Sequence, residues 1–161
     1  MPPYQLTKGR AQAGAFDGPG VLQYAQVSLT AAQVKVLRAT PVTVVPAPGA
    51  GKLLEFVSAE LFLDYSGTNA FTETADNLQV RYENGTGPFA SVSIETTGFI
   101  DQTADTKTNA LAKTDVIAAK TTCENKALVL HNNGDGEIAG NAANDNVLRV
   151  KVAYRVHSTG W

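Results

Sequence analysis

By type, the side chains best suited to chemistry in this chain are two histidines, His131 and His157, a lone cysteine, Cys123, and the lysine of a Gly-rich loop, Pro48-Gly49-Ala50-Gly51-Lys52. Each fails the spacing its chemistry needs. A phosphate-binding loop requires Gly, four residues, Gly-Lys, then a hydroxyl for the magnesium ion. Here Pro46 stands at the first Gly position and Leu53 follows the lysine. The loop also leads into a strand pattern, so no helix N-terminus would face a phosphate. Zinc sites want three or four His/Cys ligands at tight local spacing. Cys123, His131 and His157 do not supply it, and both histidines are read as exposed surface residues.

Nucleophilic catalysis needs a Ser or Cys with a positioned base and acid. No G-x-S-x-G elbow occurs. Cys123, in Thr-Thr-Cys-Glu-Asn before an apolar run, suits a packing role. Paired carboxylates for glycoside hydrolysis leave no sequence mark, but such clefts usually have aromatic walls, and the single Trp stands at position 161. The stretch from Asn132 to Asp145 is rich in Asn, Gly and Asp. An EF-hand loop registered on Gly136 would begin at His131 and end at Ala142, both the wrong type. A turn is the reading, with an irregular surface calcium site as its alternative. Asn84-Gly85-Thr86 matches a glycosylation acceptor, read as chance. The chain is thus expected to be no enzyme and to take no cofactor or resident metal.

The elements around these residues are strands. The 161 residues imply one domain, large enough to bury about 70% of its unfolded surface without staples. Leu22–Leu29 reads as a strand. Thr30-Ala31-Ala32-Gln33 is a capping box opening a short helix that Pro41 ends. Pro41–Val45 resumes as a strand, and Pro46–Gly51 is a loop. The next strand alternates, with Val57, Ala59, Leu61, Leu63 and Tyr65 inward and Ser58, Glu60, Phe62 and Asp64 outward. Phe62 breaks that polar face and marks a candidate contact surface. A hairpin is expected from Leu78–Glu83 and Phe89–Glu95 around Asn84-Gly85, with Val92 and Ile94 inward. Phe99 and Ile100 look buried, within one helical turn near Phe99–Thr103, and Asp105–Ala119 reads as loop. Ala127–Leu130 is a short apolar strand. In the last strand Leu148, Val150, Val152, Tyr154 and Val156 point one way. The sum is about seven or eight strands, the pattern of an antiparallel β-sandwich or jelly-roll-like barrel with one or two short helical turns.

Residues 1–20 lack hydrophobic periodicity and read as an extended arm ahead of the domain at 21–161. Stretched out, twenty residues reach up to about 70 Å, enough to cross onto a neighbour. Pro2, Pro3, Tyr4, Leu6 and Phe16 are its candidate anchors, with Trp161 a further one at the other terminus. A net charge of −2 and scattered basic residues argue against a nucleic-acid partner. No apolar run suits a signal peptide or a membrane span, and the unpaired cysteine suits a reducing cytoplasm.

Several segments together carry a resemblance. They are Leu29-Thr30-Ala31 through Arg38-Ala39-Thr40-Pro41, Val44 through Lys52, Leu61-Phe62-Leu63-Asp64-Tyr65, Gly98-Phe99-Ile100-Asp101 with Asp105, Asn125 through Leu130, and Val150-Lys151-Val152-Ala153-Tyr154. In these the chain resembles small β-folded virion proteins of tailed bacteriophages, of the capsid decoration or cement type. The resemblance implies a homotrimer that binds the major capsid protein on the outer surface of the shell after assembly in the host cytoplasm. It implies no active-site residues. The alternative is a tail-fibre or receptor-binding module that binds host glycans. This chain has neither heptads nor many loop aromatics to favour that. A sugar-binding β-sandwich ranks third, because Trp is scarce.

Overall fold

The computed structural model describes residues 20–73 and 77–160. The arm anchors Pro2, Pro3, Tyr4, Leu6 and Phe16, and the terminal Trp161, lie outside the described residues. In chain order the elements are β1 (Gln23–Thr30), α1 (Ala31–Val34), β2 (Val42–Val45), β3 (Lys52–Asp64), β4 (Phe71–Thr72), β5 (Asn77–Tyr82), β6 (Ile94–Glu95), β7 (Thr106–Leu111), β8 (Leu128–Asn132), β9 (Ala139–Gly140) and β10 (Val147–Ser158). One 3₁₀ turn spans Lys120–Thr122. The protein is mostly β, and its sheets are antiparallel throughout.

One four-stranded sheet runs β1-β10-β3-β7 and the other β2-β8-β5-β6, with β4 and β9 forming a small two-stranded ribbon. Leu29, Leu61, Leu63, Leu148, Val150 and Val152 of the first sheet join Val44, Leu78, Val80, Leu128 and Leu130 of the second in one buried cluster. Each such side chain contributes about 1.5–3 kcal/mol by leaving water. β10 lies between β1 and β3 and keeps the expected alternation, Leu148, Val150 and Val152 being fully buried.

The capping box predicted at Thr30 is present. The Gln33 amide donates to Thr30 Oγ1 at 3.3 Å, and the Thr30 amide donates to Gln33 Oε1 at 2.9 Å. The turn it opens carries Ala31, Val34 and Leu37 into the end of the core, all three fully buried.

β3 departs from simple alternation. Ala153 pairs with Ser58 but Tyr154 pairs with Phe56, so Val57 is an extra residue, a bulge. Leu54 and Phe56 therefore face the core before it, and Ala59, Leu61 and Leu63 after it. Val57, expected to point inward, sits in the bulge half-buried. A second bulge at Val44 lets both Val44 and Val45 bury.

Three other expectations change. Asp105–Ala119 is not all loop, because Thr106–Leu111 forms the edge strand β7, paired to β3 from Leu63–Thr106 to Ser58–Leu111. The strand count rises to ten among the described residues. Val92 is exposed rather than inward: Ser91 is buried instead, its hydroxyl accepting from the Val80 amide at 2.9 Å. The helical turn expected over Phe99–Thr103 is instead a tight turn closed on Thr96, whose carbonyl accepts from the Phe99 and Ile100 amides; Gly98 within it takes φ 77°, outside the helical region, while Phe99 and Ile100 are buried as expected.

The Asn84-Gly85 hairpin loop is also built differently. The positive φ falls on Glu83, at 66°, not on Asn84 or Gly85. Glycine is required here for closeness: a Cβ on Gly87 would lie 1.7 Å from the Tyr82 carbonyl oxygen, and one on Gly85 would lie 2.5 Å from His131 Nε2.

At the far end, buried Asn141 and Asn146 tie two loops together. Both side-chain amides donate to Asn69 O, at 2.7 and 2.9 Å, and Asn146 Oδ1 accepts from the Ser66 amide at 3.0 Å. Asp145, beside them, is held down at about 2 by hydrogen bonds from Ser66, Asn141 and Thr68.

Candidate functional site

The outward face of the β1-β10-β3-β7 sheet carries the feature most in need of explanation. Register sets its side chains in three cross-strand rows. They are Ser28, Arg149, Phe62 and Lys107; then Gln26, Lys151, Glu60 and Asn109; then Tyr24, Ala153, Ser58 and Leu111. Period-two alternation turns all twelve away from the core. Three of them are large and apolar yet exposed: Tyr24 at 62%, Leu111 at 60% and Phe62 at 41%. Tyr24 and Leu111 end one row, three interstrand steps of about 4.8 Å apart, and Phe62 stands four residues along β3 from that row. Small Ala153 and Ser58 between the first two leave the face shallow.

Charges frame these rings. Arg149 Nε donates to Asp64 Oδ2 at 3.0 Å. Lys107 Nζ lies 2.8 Å from Glu60 Oε2, an ion pair without hydrogen-bond alignment. Lys151 Nζ sits 5.2 Å from the centre of the Tyr24 ring. Exposed pairs of this kind add only about 0–1 kcal/mol to stability. Their larger effect is to fix long side chains around the apolar centres. Farther along the same face, Glu55 accepts from Arg155 Nη1 at 3.0 Å and pairs with His157 Nε2 at 2.7 Å. Burial pushes the Glu55 carboxyl up, but the His157 and Arg155 hydrogen bonds and charges outweigh this and hold it below the usual range.

A groove of about 670 Å³ opens where β7 ends and leaves β3 uncovered. Phe56, Tyr82, Phe89, Val116 and Cys123 line it. The Tyr82 hydroxyl donates to Leu54 O, and its pKa is pushed up to about 12, by burial first and then by the charges of Cys123 and Glu55. It stays protonated at neutral pH, as a strut. Among the described residues the Cys123 thiol has one side-chain hydrogen-bond contact, with Thr122 Oγ1 at 3.9 Å. The loop beside the groove ends in Ile117, fully exposed.

The remaining sequence candidates fall as follows. Phe62 is where alternation put it. Lys52 opens β3, and the Gly49 amide is already taken by Asn125 Oδ1 at 3.0 Å, so the Gly-rich loop presents no phosphate cradle. Asn132 closes the turn after β8, accepting from the Gly134 amide and donating to Gly136 O. Among the described residues no three His, Cys, Asp or Glu side chains gather as metal ligands would. His157 is half-buried against Glu55. His131, expected at the surface, is buried, only 8% exposed. The hairpin loop folds over it, and β8 is covered on both faces, which an apolar run of four residues does not reveal.

Sequence reasoning singles out Phe62 but neither Tyr24 nor Leu111. Tyr24 had a signal, since it alternates with Ala25, Val27 and Leu29 of a strand. Leu111 had none, because its strand reads as loop. No protein-family model matches the chain, and no curated protein is significantly similar to it. No helix among the described residues is long and apolar enough to cross a membrane.

Proposed function

We propose that the protein is a structural component of a phage virion, a decoration protein that binds the outside of the capsid shell. The observation that carries the reading is the outward face of β1-β10-β3-β7, where Tyr24, Phe62 and Leu111 stand exposed among fixed charges. Tyr24, Phe62 and Leu111 stand apart on one sheet face with charged pairs between them, and such separate large side chains can serve as anchors for a protein partner. The resemblance to small virion proteins supplies the partner, the major capsid protein.

In this reading the two four-stranded sheets are the layers of a β-sandwich. β1 is an edge strand of the contact face, and the reading gives residues 1–20 ahead of it the role of an arm for a sister subunit or the shell. Three copies joined as a homotrimer would act together, and modest single contacts would add through effective concentration. No step of covalent chemistry belongs to this function.

The test is to add the purified protein to shells assembled without it and measure co-sedimentation. The full chain should saturate the shells, and a chain lacking residues 1–20 should bind markedly less. Equal binding by the two would remove the arm from the account, and no binding by either would remove the shell.

A further inference from the structure

A second concavity lies on the other sheet, away from the exposed apolar face. We propose that the recess where Arg38, Arg81 and His131 converge is a binding site for a small oxyanion, the carboxylate or phosphate group of a ligand.

The recess holds about 570 Å³, with Arg38, Pro41, Arg81, Gly85, Thr86 and His131 among its walls. Three separate pieces of chain bring the cationic groups together: the turn after α1 brings Arg38, β5 brings Arg81, and β8 brings His131. Gln79 pairs with His131 across β5 and β8, and Arg81 pairs with Val129, so Arg81 and His131 share the outward face of that sheet.

The hydrogen bonds leave donors over. Among the described residues the Arg38 guanidinium has no hydrogen-bond or ion-pair partner. Arg81 gives Nη1 to Gly85 O at 2.8 Å and lies over the Phe89 ring at 4.2 Å, which fixes its plane. Its Nε is buried with no partner. His131 is more than nine-tenths buried, with Nδ1 closed off from solvent and the Arg38 backbone as a weakly aligned partner of its ring. Arg81 Nε and His131 Nδ1 are closed off from the open recess, so the donors that face it are the Arg38 guanidinium and Arg81 Nη2, neither of which has a partner among the described residues. An arginine fork left over in a concavity suits a ligand with acceptors.

The local charge agrees. Glu137, whose charge reaches His131, accepts from the Arg38 and Ala39 amides at 3.0 and 2.8 Å. Among the described residues it forms no ion pair with either guanidinium. Burial pushes the His131 pKa down, and the charges of Arg81 and Arg38 push it further, against a smaller opposing pull from the Arg38 backbone and Glu137. An arginine fork matches carboxylate and phosphate oxygens alike. Gly85 completes the site, since only a residue without a Cβ lets the hairpin loop rest on the imidazole.

Two sources offer such a group, a free anion and an acidic side chain of a partner protein. The test follows the His131 ring signals of the full chain by NMR at constant ionic strength. Inorganic phosphate, acetate and a capped oligo-glutamate peptide are titrated against chloride. A saturable shift is expected, together with a rise in the His131 pKa when the anion is bound. Preference for phosphate or acetate assigns the free anion, and tighter binding of the peptide assigns a protein side chain. Either result supports the site. Arg38→Ala removes an exposed side chain that holds nothing in the fold, and it should weaken binding about tenfold or more. Lys107→Ala, on the opposite sheet, should leave binding unchanged. The proposal is overturned if no probe gives a saturable shift, or if Arg38→Ala binds as the parent does.

Discussion

Phe62 on β3 stands directly across from Arg149 on β10, with Lys107 of β7 opposite on its other side. The ring is thus held between two cations, each engaged by a carboxylate of β3, Asp64 and Glu60. An apolar group kept in place by its neighbours loses little freedom on meeting a partner, and this is how strong contact residues behave.

Replacing Phe62 with Ser therefore separates binding from folding. Stability should change by no more than about 1 kcal/mol, the span of strand preferences at exposed sites. Affinity for shells should fall by about 2 kcal/mol or more. Urea denaturation reads the first and shell co-sedimentation the second.

The hairpin loop makes a sharper structural prediction. Gly87→Ala puts a methyl group 1.7 Å from the Tyr82 carbonyl oxygen, so backbone must move. The cost should be at least about 3 kcal/mol. Gly136→Ala, where a methyl group meets nothing within 4 Å, should stay within about 0.5 kcal/mol. Thermal melts of the two variants beside the parent decide this.

Much of the frame is legible in the sequence, and the exceptions share a cause. Alternation in Leu148–Val156 and in Ala59–Leu63 is strict because one side faces core and the other water. Val57 cannot be placed that way, since a bulge shows only when the partner strand is counted. Thr106–Leu111 has one fully buried side chain, Ala110, so its inward face offers Thr and Ala where a pattern needs Val or Leu. His131 belongs to a strand buried on both faces by a loop some 45 residues earlier in the chain. The recess is illegible for the same reason: Arg38, Arg81 and His131 share no motif and meet only through topology.

Core truncation gives a further check on the shared cluster. Leu61→Ala, at a fully buried site between β10 and β7, should cost about 2–5 kcal/mol. Thr30→Ala, which removes the capping box but no packing, should cost about 1 kcal/mol. Chemical denaturation at one pH ranks the two.

Acid should act in two windows. Folded His131 binds its proton less tightly than an unfolded histidine, whose ordinary value is about 6.5. Its contribution to stability is present above that pH and is lost as pH falls through the depressed folded value. Asp145, at about 2 when folded, repeats this lower down, contributing above about 3.9 and losing that contribution as pH falls toward 2. Denaturation midpoints measured across pH should show the upper slope in the parent and a flatter one in His131→Gln.

The capsid assignment is tested most directly by a reconstruction of the assembled particle. The account predicts density for this domain on the outer shell, with the Tyr24–Phe62–Leu111 face turned toward the major capsid protein. Density on the tail, or on the shell with that face turned to solvent, would contradict it.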